Sequence, residues 1–188
     1  MKMLLLKYEE VLNTLQANIL SLLQNGLPKE EIKKKLLIAG IPAIEELVNL
    51  YEWKNGVDDS IESFHEAELF PEGIMLSLES SLESYRIYTQ KKIWNRELFP
   101  LFTNGSGDFI LMNIMEGDYS LFMYAPSLLL SDTPFSIYDS LDKMFATLIA
   151  CFEQGAYYVK EDKLMELDFD LKYTVSETLN PLSEFWKL

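Results

Sequence analysis

Among its 188 residues the chain has one cysteine and one histidine, and each shortage closes off a class of chemistry. Cys151 alone can form no intrachain disulfide and no multi-cysteine zinc or iron–sulfur site, so the cytoplasm is the expected compartment. His65 alone gives no paired-histidine spacing, and a metal site built on it would need several carboxylates around it. Basic residues are scarce as well. Sixteen Lys and Arg face 30 Asp and Glu, for a formal net charge of −14 and an isoelectric point near 4.4. A nucleic-acid binder needs a basic footprint to neutralise phosphates, and an anionic membrane would repel this chain, so neither partner is expected. No uncharged apolar run reaches the ~18 residues of a membrane span. The apolar start is broken by Lys7, Glu9 and Glu10, unlike a secretory leader.

What the chain does have is core. Hydrophobic residues make up 48% and aromatic residues 13%, a composition that predicts one folded domain over 1–188. Residues 1–26 are read as an N-terminal helical extension and 28–186 as the body of the domain. Charge is unevenly placed: residues 1–51 hold six Lys and six Glu, whereas 52–188 hold ten basic and 24 acidic side chains. The whole excess therefore lies in the second part, where it serves solubility or the steering of a basic partner.

Leu4, Tyr8, Val11, Leu15, Ile19 and Leu22 recur at steps of three and four, predicting one helix stopped by Asn25-Gly26. A second helix enters at Pro28 and stops at Gly40. A third opens at Pro42, buries Ile44, Leu47, Val48 and Tyr51, and ends at Asn55-Gly56. After a loop, Ile74 to Leu76 reads as a short strand and Ser77 as the cap of a helix carrying Leu78, Leu82, Tyr85 and Tyr88. Strands follow at Phe99–Thr103, Phe109–Met115 and Tyr119–Tyr124, joined by Gly-containing turns, with a further strand at Phe135–Tyr138. The middle one is apolar on both faces and reads as central. A helix with Leu141, Phe145, Leu148 and Phe152 stops at Gly155, and a last helical pattern runs through Leu164, Leu167, Leu171, Val175 and Leu179. The expected fold is α+β, an antiparallel-rich central sheet flanked by helices, three short ones at the N-terminus and two at the C-terminus.

Catalytic patterns are few. The stretch Asp58 to Glu66 is dense in ionisable groups and could hold a general acid and base, though a solvated acidic loop explains it equally. Cys151 sits on the inward side of a helix, where a free thiol is an inert small hydrophobe. Gly105 and Gly107 precede a strand rather than a helix, so they read as a turn with positive φ and not as a phosphate loop. Asn104, Ser106 and Asp108 alternate as calcium ligands would, but Phe109 and Met115 occupy the positions where a calcium loop has Gly and Glu. Trp53 and Tyr124 are expected to be exposed and to serve as interface anchors.

Several segments carry a family resemblance. Leu50-Tyr51-Glu52-Trp53-Lys54-Asn55-Gly56, Glu68-Leu69-Phe70-Pro71, and Trp94 to Ile114 (W-N-R-E-L-F-P-L-F-T-N-G-S-G-D-F-I-L-M-N-I) resemble, in order, the signature series of the SUKH superfamily. That family comprises fungal cell-wall assembly regulators and bacterial toxin-immunity proteins. Gly155-Ala156-Tyr157 and the Asn180 to Trp186 tail are similar to its C-terminal features. Asn113 departs from the pattern, since many members carry an acidic residue there. The resemblance implies no catalytic residue and no cofactor, and action by binding: neutralisation of a polymorphic toxin, or a regulatory scaffold role without a toxin. The −14 charge suits a basic, nuclease-type toxin as the partner, and one His with one Cys leaves no metal expected. An enzyme using Asp58 to Glu66 is the third alternative. A monomer is expected, and Trp53, Asp58, Asp59, Glu62, Glu66 and Tyr124 are the candidate partner-binding residues.

Overall fold

The computed structural model describes residues 1–58, 63–130, 132–183 and 185–187. It has the expected α+β architecture, with a curled six-stranded antiparallel sheet flanked by helices. The sheet runs in sequence order through β3 (Glu68–Phe70), β4 (Gly73–Met75), β5 (Leu98–Thr103), β6 (Phe109–Asn113), β7 (Leu121–Tyr124) and β8 (Phe135–Tyr138). Strand β6 is flanked on both sides, and all five of its residues are buried. Its side chains alternate between two cores: Ile110 and Met112 enter the main one, Phe109 and Leu111 a smaller one built around Trp94. The period of two in an all-apolar strand is thus explained by apolar cover on both faces.

Helices α1 (Lys2–Thr14), α4 (Glu45–Trp53), α6 (Leu141–Glu153) and α7 (Phe169–Leu179) supply the main core, with α3 (Lys29–Ile38) packed on α4. Helix α1 is integral to it: Leu5, Tyr8 and Leu12 are fully buried, and the Tyr8 ring meets Phe145 edge-on at 5.3 Å. The smaller core stacks Tyr88, from α5 (Leu78–Gln90), on Trp94 at 4.3 Å and sets Phe109 and Tyr124 edge-on against the indole. Ser77 caps α5 as expected, its hydroxyl accepting from Ser80 N–H at 3.1 Å. The outer strands are closed by side-chain donors. The Tyr8 hydroxyl donates to the Leu69 carbonyl at 2.7 Å, and the Trp186 indole N–H donates to the Ile137 carbonyl at 2.7 Å.

Three expectations need correction. The helix read from Leu4 to Leu22 breaks after Thr14. Gln16 turns to φ 55°, and the N–H groups of Gln16 and Ala17 close onto the carbonyls of Asn13 and Leu12, a Schellman-type stop. The apolar spacing continues because Ile19, on the short α2 (Ile19–Leu22), returns to the same core. The Asn-Gly pairs read as helix stops belong to a small ladder, since β1 (Leu23–Asn25) pairs with β2 (Lys54–Val57), which includes Asn55 and Gly56. There the Asn55 side-chain oxygen accepts from Leu78 N–H at 2.9 Å, helping to cap α5. Finally, Leu164 and Leu167 lie in the hairpin of β9 (Tyr157–Val159) and β10 (Met165–Leu167), so the last helix begins only at Phe169. Lys163 at φ 65° makes the turn that the helical spacing concealed. No helix among the described residues is long and apolar enough to cross a membrane.

Candidate functional site

Three loops meet at one end of the sheet. Antiparallel pairing puts the β5–β6 turn beside the β7–β8 loop, because Phe109 pairs with Tyr124. The β2–β3 loop reaches the same end, where Phe64 lies against Gly105 and shares with Asp58 and Thr103 a cavity of about 160 Å³.

The β5–β6 turn is built by its own side chains. The Asn104 amide oxygen accepts from Ser106 N–H at 2.8 Å and Asp108 N–H at 3.2 Å, and the Thr103 hydroxyl donates to the Asp108 carbonyl at 2.9 Å. Gly105 and Gly107 take φ of 76° and 100°, the left-handed conformations that the turn reading requires. A Cβ at Gly105 would also press on the Phe64 ring. Asp108 joins this turn to the next loop. Its carboxylate is buried and accepts from Asn104 Nδ2 at 2.8 Å, Ser127 N–H at 2.8 Å and the Ser127 hydroxyl at 2.6 Å. The Asn104 and Asp108 oxygens, two of the three read as possible calcium ligands, are therefore committed to donors within the protein.

Beyond Ser127, Leu128, Leu129 and Leu130 stand 56%, 45% and 90% exposed, and Phe64 is 60% exposed. The segments that meet here are acidic in sequence. Residues 57–72 hold Asp58, Asp59, Glu62, Glu66, Glu68 and Glu72, the turn at 103–108 holds Asp108, and 125–134 holds Asp132, with no Lys or Arg in any of the three segments. Asp58, Glu66 and Asp132 are exposed. Lys172 of α7 reaches this end and is engaged by Glu72 at 3.2 Å. Glu68 is half-buried next to His65, with Oε1 3.5 Å from Nδ1, and burial raises its pKa above the usual carboxylate range.

The expected site residues divide. Asp58 and Glu66 belong to this end, whereas Asp59 and Glu62 lie outside the described residues. Trp53 is elsewhere and only half-exposed: its indole N–H donates to Glu9 at 2.7 Å and its ring packs edge-on against Phe145. Tyr124 is a correction. It is 7% exposed, turned by the alternation of β7 onto Trp94, and offers no free surface. Leu128 to Leu130 and Asp108 were not anticipated as a unit. The signal available was three consecutive leucines after Pro126 in a segment too short and too turn-rich to form a strand.

Elsewhere, burial holds the Cys151 thiol up at about 11. No three His, Cys, Asp or Glu side chains converge on a metal-sized site among the described residues. Asn113 bridges the β6–β7 hairpin: its amide donates to Asp118 at 2.9 Å while its oxygen accepts from Met115 N–H at 3.0 Å.

No family model and no curated protein matches the chain. The arrangement itself presents exposed apolar side chains and exposed carboxylates on loops, two of which are joined by internal hydrogen bonds.

Proposed function

We propose that this is a SUKH-like protein-binding domain, acting without catalysis in the cytoplasm as a monomer, that neutralises a basic, nuclease-type toxin by covering it. One observation carries the reading: at the loop end of the sheet, Phe64 and Leu128 to Leu130 are exposed on segments that also expose Asp58, Glu66 and Asp132 and contain no Lys or Arg, and Lys172, which reaches this end from α7, is engaged by Glu72. A nuclease domain that grips phosphates must itself be basic, so an acidic inhibitor matches its field and competes with its substrate. Clustered charge steers encounter even where single charges are screened beyond the Debye length of about 8 Å at physiological salt. Apolar side chains within that field supply the desolvated contacts that slow dissociation.

The test is association with the toxin domain encoded beside the gene, measured at several salt concentrations. The wild type is compared with a variant carrying Asp58→Asn, Glu66→Gln and Asp132→Asn. For the wild type the rate approaches ~10⁸ M⁻¹s⁻¹ at low salt and falls steeply as salt rises, while dissociation changes little. The neutralised variant loses most of that salt dependence, and nuclease activity disappears at one equivalent of wild type. A salt-independent rate, or a bound partner as acidic as this chain, overturns the reading.

A further inference from the structure

We propose that the partner docks on the leucine loop at 125–130, held in place by the buried Asp108 carboxylate, and that it presents there a basic segment carrying apolar side chains. The inference rests on the function proposed above and adds the contact face and the chemistry that meets it.

Isolated exposed leucines are ordinary on protein surfaces. Three in succession on a loop tied down at its base are a different matter. Ser127 is bonded to Asp108 through both its N–H and its hydroxyl, and Leu129 N–H donates to the Ala125 carbonyl at 3.0 Å. These bonds fix the loop in a turn that directs Leu129 and Leu130 outward instead of letting them collapse onto the sheet. Asp108 also holds Asn104, so the turn that supports Phe64 and the loop that carries the leucines share one anchor. Such preorganisation lowers the ordering cost of binding, which is what an otherwise unfavourable exposure of apolar surface can serve.

Charge selects the occupant. Asp58, Glu66 and Asp132 are exposed on the same three loops, so Lys and Arg flanking an apolar anchor would be attracted. A second copy of this chain, at −14, would be repelled, as would an anionic bilayer.

The probe is a synthetic amphipathic peptide of alternating Lys and Leu blocks, with a companion in which every Lys is replaced by Glu. Each is titrated into the full chain while backbone amide signals are followed by NMR. The Lys peptide is expected to shift signals at 64, 103–108 and 125–130, and the Glu peptide to leave them unmoved. The double variant Leu129→Ser, Leu130→Ser is expected to weaken Kd at least tenfold with an unchanged melting temperature, since both side chains are exposed. Ser127→Ala, which keeps every leucine but cuts one bond to Asp108, is expected to weaken it severalfold. Shifts confined to another face, equal affinity of the double variant, or equal binding of the Glu peptide would each overturn the proposal. Insertion of the same loop into phosphatidylglycerol vesicles would overturn it in favour of a membrane contact. If the leucine variants still neutralise the toxin domain, the face is wrong and the function stands. If the peptide binds at the loop but no toxin domain is neutralised, the face stands and the function fails.

Discussion

Replacing Asp108 should loosen two loops at once, and the size of the effect follows from its three partners. Hydrogen bonds to a charged group contribute about 1.5–3 kcal/mol each, with the upper part of that range reserved for partners that water cannot reach. Ser127 is exposed, so water takes over its N–H and hydroxyl when the carboxylate is removed. The Asn104 amide is half-buried and regains less. Asp108→Ala, which also leaves a small void at a 6% exposed position, is therefore expected to cost about 3 kcal/mol. Asp108→Asn keeps the shape. Its oxygen can still accept from Ser127 N–H, and its amide can donate to the Ser127 hydroxyl, which reverses its role. Only the contact with Asn104 Nδ2 becomes donor against donor, so the expected loss is about 1.5 kcal/mol. Urea unfolding followed by circular dichroism reads both values. A cycle pairing Asp108→Ala with Ser127→Ala should show a coupling of about 1 kcal/mol, because the two residues share a bond of 2.6 Å. If both Asp108 variants lie within about 0.5 kcal/mol of wild type, the carboxylate is not the anchor described.

Other outcomes follow from single contacts. Asn113→Asp sets a second carboxylate about where the Asn113 amide lies 2.9 Å from Asp118; the variant should lose about 1–2 kcal/mol at pH 7 and regain most of it near pH 3, where one of the pair is protonated, as denaturation at the two pH values would show. Glu68 has its folded pKa raised by burial. Its contribution is therefore fully present below the unfolded pKa and is lost as pH rises through the folded one, so Glu68→Gln should be relatively more stable at pH 7 than at pH 4, and an unchanged ratio counts against a buried carboxylate there. Cys151, with its thiol near 11, should resist a disulfide reagent at pH 8 until denaturant is added; rapid reaction of the folded protein would show that the α6–α7 interface is open. Gly56 at φ 69° lies so close to the backbone of Leu76 and Ser77 that a Cβ would collide with it, so Gly56→Ala should destabilise by at least ~2 kcal/mol in a melting experiment.

The elements legible in the sequence were those whose pattern has a single physical solution. An all-apolar run bounded by Gly-rich turns, as at Phe109 to Asn113, needs cover on both faces, and β6 has it. Ser77, ahead of apolar helical spacing, accepts the N–H its position offers. Spacing misled where two structures satisfy it equally. Leu15 and Ile19 keep helical phase across a break made by Gln16, a residue that carries no glycine-like signal. Leu164 and Leu167 are seven and four residues before Leu171, but they lie in a hairpin. The acidic half of the candidate surface was visible as charge. Its apolar half was not, because exposure of Leu128 to Leu130 depends on the bond between Ser127 and Asp108, 19 positions apart, and no local pattern encodes that. Tyr124 shows the converse: an aromatic at a strand end reads as exposed until the partner face, here Trp94, is known.

The closed outer strands limit how anything can join this molecule. With Tyr8 on the Leu69 carbonyl and Trp186 and Ser183 on the carbonyls of Ile137 and Ser136, neither end of the sheet offers a clean row of acceptors to an incoming extended peptide. Growth by strand addition is blocked at both ends by side chains that come from α1 and from the C-terminal turn, outside the sheet itself. Removing residues 180–188 would uncover β8 and convert a self-limited sheet into a template for its own copies, so a truncated chain should form thioflavin-positive fibres under conditions where the full chain stays dispersed.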